Sequence, residues 1–375
     1  MRVLHIVTGL ASGGAERQLL LTVRNLPAHQ HCEVAALTNP GAVAAALRAD
    51  GVTVHDLAMR GNRDLGALPR LVRLIRAGGY DLVHTHLYRA GLYGRLAARL
   101  AGVRTVVATE HSLHPGVIEG RPVTAGVKGL YLAAERLGRT TVAVSRQVER
   151  TLHDWGVPAG RVELIPNGID AARYRWAPAR RAAIRDRVRA ELGLPTGAWV
   201  IGAVGRLVPG KRFGVLLDAL SELDGLTGAR PWLVVIGEGP ERAALERRAE
   251  RLGVRARLVL TGERDDVPEL LTALDVLAAP STEETFGLGV LEGLAAGLPV
   301  RHSACPALEE LPADAAPGAR RIPSDAGSYA AALCDLYELR GGCAAVQPPA
   351  VAHYDIARVA ADLGALYDHL TGARR

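Results

Sequence analysis

The chain has 375 residues, of which 49% are apolar, so it can bury ample core and suggests two domains, because domains typically run roughly 100 to 200 residues. Its formal charge of +6 would suit nucleic acid, but only 4% of residues are aromatic, which leaves few platforms for stacking bases. We therefore expect no nucleic-acid partner, and acidic small ligands or an anionic membrane surface explain the excess charge at least as well.

The first half alternates short apolar runs with helical patterns. We predict strands at Val3–Val7, Glu33–Leu37, Asp81–His84, Thr105–Ala108, Thr141–Val144 and Val162–Ile165. Apolar runs of this length, spaced by helices, indicate a parallel sheet covered by helices on both faces.

The pattern restarts in the second half, where we predict strands at Trp199–Val204, Trp232–Ile236, Arg257–Leu260, Val276–Ala279 and Pro299–His302. Two Rossmann-like domains follow, with a junction near Ala172, a turn-rich region that precedes a basic helical stretch at 180–192. We predict an irregular connection at 312–327. A final helical segment, 351–375, is expected to cross back to the first domain.

The N-terminus begins at once with a strand and lacks the long apolar region of a signal peptide, and no run of about 20 apolar residues occurs. The cysteines lack the paired spacing of a zinc or redox motif; they are Cys32, Cys305, Cys334 and Cys343. We expect reduced thiols in a cytoplasmic protein that does not span a membrane.

Ligands of open α/β proteins bind at the carboxyl ends of the strands, so the loops after strands are informative. Gly13 and Gly14 follow the first strand and let the backbone approach an anion at a helix start, although a plain tight turn is as good an explanation. Arg206 and Lys211 follow the first strand of the second half, where a guanidinium and an ammonium together can hold a diphosphate without a metal.

The segment after the predicted strand Val276–Ala279 carries two carboxylates around a turn. Phe286, Gly287 and Leu288 are expected to open a helix that runs to Ala296, whose free N–H groups suit a phosphate. Glu284 in the loop and Glu292 on the helix can accept hydrogen bonds from sugar hydroxyls. Taken alone, this glutamate pair is better explained as a solvated helix face, and only its surroundings favour a site.

Histidines end two strands of the first half. His84 and His86 share one face of a strand, which raises a metal site, but no third ligand is adjacent in sequence, and structural histidines explain them better. His111 stands just past its strand among polar neighbours and is the better candidate for the substrate crevice. His5 lies inside an apolar strand and is expected to be a core residue.

Seven segments occur in the order typical of one family: residues 13–18, 84–86, 162–170, 205–211, 237–242, 265–270 and 281–292. The chain resembles the family-4 retaining glycosyltransferases of GT-B fold along nearly its whole length. The resemblance implies two facing Rossmann-like domains with a crevice between them. Residues 1–172 would bind the acceptor, residues 173–350 the nucleotide-sugar donor, and 351–375 would form the returning helix.

The resemblance also implies roles for the candidate site residues. Arg206 and Lys211 would bind the donor diphosphate, which Gly14 would approach from the other domain, and Glu292 would bind the ribose. Glu284 and the backbone N–H groups of 286–288 would hold the transferred sugar and the phosphate, and His111 would line the sugar site. The implied reaction moves a hexosyl unit to a hydroxyl with retention of configuration, and needs neither metal nor cofactor.

The chain departs from the family's pattern in places. Thr285 stands where glycine is usual, Gly289 where proline is usual and Gly210 where an acidic residue is common. Arg301 and His302 interrupt an apolar strand, and we expect them to reach a substrate phosphate or to pair with an acid.

Other functions compete with glycosyl transfer. A nucleotide-sugar epimerase of the same architecture would use the same donor site, and a degenerate protein would bind the sugar nucleotide without reaction. An oxidoreductase is disfavoured because neither half has the dinucleotide fingerprint.

The acceptor of the glycosyl transfer would be a glycan, a lipid-linked molecule or a small molecule. Basic residues of the first half suggest peripheral contact with the inner face of an anionic membrane, unless they form a solvated helix face. These residues are Arg60, Arg63, Arg70, Arg73 and Arg76.

Overall fold

The structure is a computed structural model that describes residues 1–11, 13–61, 64, 66–114, 116–119, 121–227, 230–339 and 347–372, with the backbone alone at 226 and 227. The chain divides into two compact units. The first comprises Met1–Gly168 and Tyr354–Arg375, and the second comprises Ile169–His353. The sequence analysis had drawn the first boundary near Ala172 and the second at 350.

The described part of the first unit contains these strands: β1 (Arg2–Val7), β2 (His31–Ala36), β3 (Val54–Asp56), β4 (Leu82–His86), β5 (Val106–Glu110), β6 (Leu113–His114), β7 (Val117–Ile118), β8 (Arg121–Pro122), β9 (Thr140–Ala143) and β10 (Val162–Leu164). Seven of them form a parallel sheet in the order β10-β9-β5-β4-β1-β2-β3, and β6, β7 and β8 form a small antiparallel sheet.

Helices cover both faces of the parallel sheet: α1 (Gly14–Asn25), α2 (Ala42–Ala49), α3 (Ala67–Gly78), α4 (Tyr88–Ala101), α5 (Ala125–Glu135) and α6 (Arg146–Trp155). Helix α6 is capped at both ends. Ser145 begins α6 by accepting a hydrogen bond from the Val148 N–H, and Gly156 ends it in the left-handed conformation that glycine adopts without strain.

The second unit contains β11 (Val200–Val204), β12 (Trp232–Ile236), β13 (Leu258–Leu260), β14 (Val276–Ala279), β15 (Val300–His302) and β16 (Ala319–Arg321), ordered β13-β12-β11-β14-β15-β16. Its helices are α7 (Pro178–Glu191), α8 (Gly214–Thr227), α9 (Arg242–Arg251), α10 (Val267–Thr272), α11 (Leu288–Ala295), α12 (Pro306–Glu309), α13 (Ala326–Glu338) and α14 (Pro349–His353). The pairings of both large sheets are parallel, which confirms two Rossmann-like α/β units.

The last helix, α15 (Ile356–Thr371), belongs to the first unit and packs against α1. Gln30 ties it down by donating a hydrogen bond to the Gly364 carbonyl at 2.9 Å. Tyr367 is fully buried in a core cluster with Val3, Leu82 and Val107. The C-terminal segment therefore completes the core of the unit in which the chain begins.

One prediction about the fold was wrong. Residues 312–327 do not form an irregular connection, because they contain a 3₁₀ turn at Ala313–Ala315, the edge strand β16 and the start of α13. Arg320 and Arg321 are exposed, so this strand lacks the apolar run by which strands are predicted. The cysteines within the described residues, Cys32, Cys305 and Cys334, are free thiols, and Cys343 lies outside those residues.

Candidate functional site

In the second unit, the chain order reverses between β11 and β14. From β11 the chain proceeds to β12 and β13 on one side, and then returns to β14, β15 and β16 on the other. In an open parallel sheet the loops diverge at such a switch point and leave a crevice at the carboxyl ends of the strands, where ligands bind. The two loops that leave β11 and β14 contain the predicted cations and Glu284, and Glu292 lies on the helix that follows the second loop.

The loops after β11 and β12 lie backbone against backbone. Gly205 and Gly237 have φ angles of +150° and +145°, and a Cβ on Gly237 would come within 2.1 Å of the Gly205 carbonyl oxygen. A Cβ on Gly239 would come within 2.4 Å of the Leu207 oxygen. Glycine is required for this close approach, which fixes the loop that carries Arg206 and Lys211.

Lys211 and Glu284 meet across the switch point, although 73 residues separate them. Lys211 ends a 3₁₀ turn, Pro209–Lys211, and its Nζ donates a hydrogen bond to Glu284 Oε1 in an ion pair. The two side chains are 26% and 16% exposed. Removing either partner would leave a half-buried charge unpaired.

Ser281 joins the same two loops and was missed by the sequence analysis. Its hydroxyl donates a hydrogen bond to the Gly210 carbonyl at 3.0 Å, and the residue is 2% exposed. A serine just after the predicted strand was the signal available in the sequence. This bond holds the turn before Lys211 against the loop that leads to Glu284.

The predicted helix after this loop is α11, which begins at Leu288 and ends at Ala295. Gly287 precedes it with φ at +103°, and a Cβ there would lie 2.5 Å from Cys305 Sγ. The first N–H groups of a helix have no acceptor inside the helix, and the partial positive charge at this end favours an anion. Phe286 is buried, and Glu292 is half-buried on the next turn. Arg206 is exposed on its loop.

In the first unit, Gly13 lies before α1 in an extended conformation, and Gly14 is the exposed first residue of that helix. The chain order of this sheet also reverses, here between β1 and β4. The start of α1 is therefore at the switch point of its own sheet. Gln18, on the next turn, exchanges hydrogen bonds with the backbone of Gly168 at 2.7 and 2.9 Å.

Four histidines form a buried layer at this switch point, on β1, on β4 and directly after β5. His5 and His84 are direct neighbours on β1 and β4, and His86 follows on the same face. His5 and His84 have no exposed surface, His86 is 3% exposed and His111, directly after β5, is 9% exposed. His5 is confirmed as a core residue.

Burial keeps these histidines neutral because it disfavours the charged ring. It lowers the pKa of His5 to about 3 and that of His111 to about 4, and it lowers the pKa of His84 and His86 well below the usual value. His5, His84 and His86 have nitrogens within 4.8 Å of one another, close enough in principle to share a metal ion. Hydrogen bonds engage five of their six ring nitrogens, so we interpret the layer as a hydrogen-bond network.

Glu110 precedes His111 in the chain and is also buried, with 2% of its surface exposed. Burial raises the pKa of this carboxyl to about 7, although the charge of Arg95 opposes the shift. Arg95 itself is 1% exposed and donates a hydrogen bond to Thr141 Oγ1 at 3.1 Å. The sequence analysis gave no role to either residue.

Arg301 and His302 are not surface residues. They lie in β15 and are 9% and 4% exposed, and Arg301 donates a hydrogen bond to the Val300 carbonyl at 3.1 Å. Burial lowers the pKa of His302 to about 4, against the opposing charge of Glu309.

Family models match most of the chain. The model for Glycosyltransferase Family 4 matches residues 12–173, and the model for glycosyl transferases group 1 matches residues 184–347. These ranges correspond to the first and second units. The candidate cations and the glutamates all fall in the second range.

The curated relatives that this chain resembles are named glycosyltransferases. The chain is 30% identical over 241 residues to a UDP-Gal:alpha-D-GlcNAc-diphosphoundecaprenol alpha-1,3-galactosyltransferase of Escherichia coli, which covers 63% of this chain and 61% of the relative. It is 33% identical over 246 residues to a 2-deoxystreptamine glucosyltransferase of Streptomyces kanamyceticus, covering 62% of each. The chain thus spans about three fifths of the length of these relatives.

The fold is also found in solved structures. HepE of Anabaena in complex with UDP and glucose superposes with a TM-score of 0.83 at 22% identity, over 98% of this chain and 99% of that one. The fold class is therefore GT-B, as predicted. With family models matching both halves, the chain belongs to the family-4 glycosyltransferases, with a group 1 glycosyl transferase domain in its second half.

Proposed function

We propose that the protein is a retaining glycosyltransferase that moves a hexosyl unit from a nucleoside diphosphate sugar to a hydroxyl, without a metal ion. The observation that carries the proposal is the Lys211–Glu284 pair at the switch point of the second sheet, next to the start of α11. A cation, a carboxylate and a helix N-terminus are the groups needed to bind a diphosphate joined to a sugar.

Each group has a distinct part in the proposed reaction. Lys211 and Arg206 neutralise the diphosphate, the N–H groups at the start of α11 bind the phosphate next to the sugar, and Glu284 and Glu292 bind sugar and ribose hydroxyls. Glu284 accepts a hydrogen bond from Lys211, so we propose that the donor diphosphate competes with this carboxylate for the ammonium. Gly13, Gly14 and His111 belong to the first unit, and we propose that they approach the same donor.

The costly event is charge developing on the leaving diphosphate, which these groups stabilise. The bond from the anomeric carbon to the phosphate oxygen breaks, and the bond to the acceptor oxygen forms on the same face. The departing diphosphate takes the acceptor's proton, so no separate base is needed.

The donor site is tested by calorimetry and turnover with UDP and UDP-hexoses, because one relative has UDP-Gal in its name and a solved neighbour has UDP. Lys211→Met should weaken binding of UDP and lower turnover about a hundredfold, since losing one such contact costs about 3 kcal/mol. Glu284→Gln should retain UDP binding but lose the preference for UDP-hexose. Arg251→Met, an exposed cation on α9, is the matched control.

Unchanged UDP affinity in Lys211→Met would overturn the assignment. An NMR time course separates the rivals: an epimerase converts the donor without acceptor, and a degenerate binding protein leaves it intact. Full activity in a chelator is expected, and complete inactivation would contradict metal independence.

We further propose that the first unit contacts an anionic membrane, which suits a lipid-linked acceptor such as the one named for the Escherichia coli relative. Helices α3, α4 and α5 carry six arginines and one lysine between them, and of these Arg95 is buried. Their one carboxylate, Glu135, is 3% exposed and bound to Arg161. No helix of the described residues is long and apolar enough to cross a membrane. Arg63 lies outside the described residues.

Exposed leucines accompany this charge. Leu96 and Leu100 on α4 are 39% and 50% exposed, and Leu130 on α5 is 54% exposed. Arg76 of α3 donates a hydrogen bond to the Leu100 carbonyl at 2.6 Å, which places this arginine beside Leu100. We call the exposed side of α3, α4 and α5 the basic face. Leucines among cations suit the boundary between lipid headgroups and acyl chains, and vesicle sedimentation tests this contact.

A further inference from the structure

The C-terminal end of α11 is held by side chains from other segments of the second unit. The last carbonyls of a helix have no donor inside the helix. Those of residues 292–294 accept hydrogen bonds from backbone N–H groups that follow them in the chain. The Ala295 carbonyl accepts instead from Gln347 Nε2 at 2.8 Å. The Ala296 carbonyl accepts from the Arg181 guanidinium at 2.7 Å. We call Gln347 and Arg181 the anchor residues.

The amide of Gln347 fits its surroundings in one orientation. Its Nε2 group also donates to the Ala171 carbonyl at 3.1 Å, and its Oε1 accepts from Arg175 Nε at 2.8 Å. A glutamine amide has two N–H donors on nitrogen and an acceptor oxygen. Turning it over would set its oxygen against the carbonyls of Ala171 and Ala295, so both donors are committed to this arrangement.

Both anchor residues lie near the points where the chain passes between the units. The chain leaves the first unit after Gly168 and returns to it at Tyr354. Arg181 is on α7, the first α-helix after the departure, and Gln347 precedes α14, the last helix before the return. α11 also packs against α14 and against the 3₁₀ turn at Ala171–Tyr174. Its C-terminal end is therefore fastened to both connecting segments.

Two prolines restrict the chain between Gln347 and α14. Pro348 follows Gln347 directly, and Pro349 is the first residue of α14. A residue before a proline is confined to extended backbone, and a proline has a fixed φ angle. The amide of Gln347 therefore loses less conformational entropy when it forms its hydrogen bonds.

α11 is short and packed along its length. Val290, Leu291 and Leu294 are buried, and a Cβ on Gly293 would lie 2.6 Å from Leu277 Cδ2 on β14. At 1.5 Å per residue the helix is only about 12 Å long, so it responds as one rigid element. A restraint on its C-terminal end therefore also restricts its first turn.

We propose that Gln347 and Arg181 are positioning residues that hold the first turn of α11 in place for the donor phosphate. Binding of the donor in turn restricts the motion of the connecting segments 169–175 and 347–353, because a coupling between two sites is reciprocal. The identity of the ligand rests on the proposed function, whereas the restraint on α11 is measurable without a ligand.

Hydrogen exchange in the ligand-free protein measures this restraint. The N–H groups of Val290 and Leu291 bond to the Gly287 carbonyl in the first turn of α11. In Gln347→Glu an ionised carboxylate replaces both donors, and these two amides should exchange about fivefold faster or more. The Leu245 N–H, hydrogen-bonded in α9, should keep its wild-type rate. Equal acceleration at Leu245 would show general destabilisation and overturn the positioning role.

The chain offers a matched control for each anchor residue. Gln147→Glu makes the same change at a half-buried glutamine of α6 in the first unit. Arg181→Met removes the second anchor, and Arg187→Met changes an exposed arginine of the same helix. Both controls should leave the first turn of α11 unchanged. An anchor substitution that also leaves it unchanged removes that residue from the proposal, and the same result for both refutes it.

Binding of UDP tests the effect on the donor site. Gln347→Glu and Arg181→Met should each weaken UDP binding about fivefold, at the lower end of couplings between sites. The KM for UDP-hexose should rise with a smaller change in kcat. In the wild type, UDP should slow exchange of the Arg175 and Val351 N–H groups, which lie in the two connecting segments. In Gln347→Glu, UDP should not slow them.

The restraint and the proposed donor site can fail separately. If UDP does not bind the wild-type protein although both anchor substitutions loosen α11, the restraint stands and the proposed donor site fails. If UDP binds the wild type and both anchor variants with equal affinity, the donor site stands and the positioning role fails.

Discussion

The ionisation of Glu110 should affect stability near neutral pH. Its pKa rises from the usual 4.5 to about 7 in the folded protein because the carboxyl is buried. The folded state therefore binds more protons than the unfolded state between these values, and stability falls as the pH rises through that window. A shift of this size corresponds to about 3 kcal/mol.

Glu110→Gln tests this expectation because glutamine keeps the shape of the protonated carboxyl. Relative to wild type, the variant should gain about 3 kcal/mol in free energy of unfolding between pH 4.5 and pH 8, measured by urea denaturation. Glu163→Gln, which changes an exposed carboxylate on β10, should follow the wild-type curve. A constant difference between Glu110→Gln and wild type at both pH values would contradict the shift.

Individual site residues were predictable from the sequence where they lie in a loop directly after a predicted strand. Lys211 and Glu284 were assigned because each stands in a loop after a buried strand, and the parallel sheet brings such loops to one edge. The histidine layer was not predictable, because His5 meets His84 only through the register of β1 against β4. Sequence spacing contains no information about which distant strands become neighbours.

At the scale of one element, Gly287 determines where α11 begins. Alanine there would be strained by the φ angle of +103° and would place its Cβ 2.5 Å from Cys305 Sγ. We expect Gly287→Ala to cost about 1–3 kcal/mol in stability, and to weaken UDP binding because the first N–H groups of the helix move. Thermal unfolding and calorimetry measure the two effects.

Gly225 provides the control for that substitution. It lies in α8 of the same unit, its φ is not positive, and a Cβ there would meet no atom within 4 Å. Gly225→Ala should be neutral or slightly stabilising, because alanine favours helix. A Gly287→Ala protein as stable as Gly225→Ala and with wild-type affinity for UDP would show that the turn does not shape the site.

Elements were predictable where an apolar run marks a strand buried on both faces. β12 and β14 have the predicted bounds, whereas β3, β16 and the two-residue strands β6, β7 and β8 were missed. The edge strand β16 is held by backbone hydrogen bonds to β15, and its side chains are half-buried or exposed. Backbone pairing at the edge of a sheet leaves no pattern in the sequence, so edge strands such as β16 are found only in the structure.

At the scale of the whole molecule, the positive charge is not evenly placed. The net charge of +6 could arise from a uniform excess of arginine, which would attract any polyanion. The basic face instead combines Arg73 and Arg99 with exposed leucines and has no exposed carboxylate from its three helices. In contrast, α9 of the second unit combines four arginines with two glutamates.

This contrast predicts where a membrane binds. The protein should sediment with vesicles of mixed phosphatidylcholine and phosphatidylglycerol at low salt, and binding should weaken as salt screens the charges. Each cation near such a surface contributes about 1 kcal/mol. Arg73→Gln with Arg99→Gln should therefore lower the partition coefficient roughly 30-fold, because 1.36 kcal/mol is a factor of ten. Leu96→Ser with Leu100→Ser should lower it at all salt concentrations, because the apolar contribution is not screened.

The matched control removes the same charge elsewhere. Arg247 and Arg251 are exposed on α9, and changing both to glutamine lowers the net charge by two without touching the basic face. If net charge alone drives binding, the two double variants will lose affinity equally, and the proposed face is wrong. If the control binds like wild type while Arg73→Gln with Arg99→Gln does not, the membrane lies against α3 and α4. Failure of the wild-type protein to bind anionic vesicles at low salt would end the proposal without affecting the donor site, which is measured separately in solution.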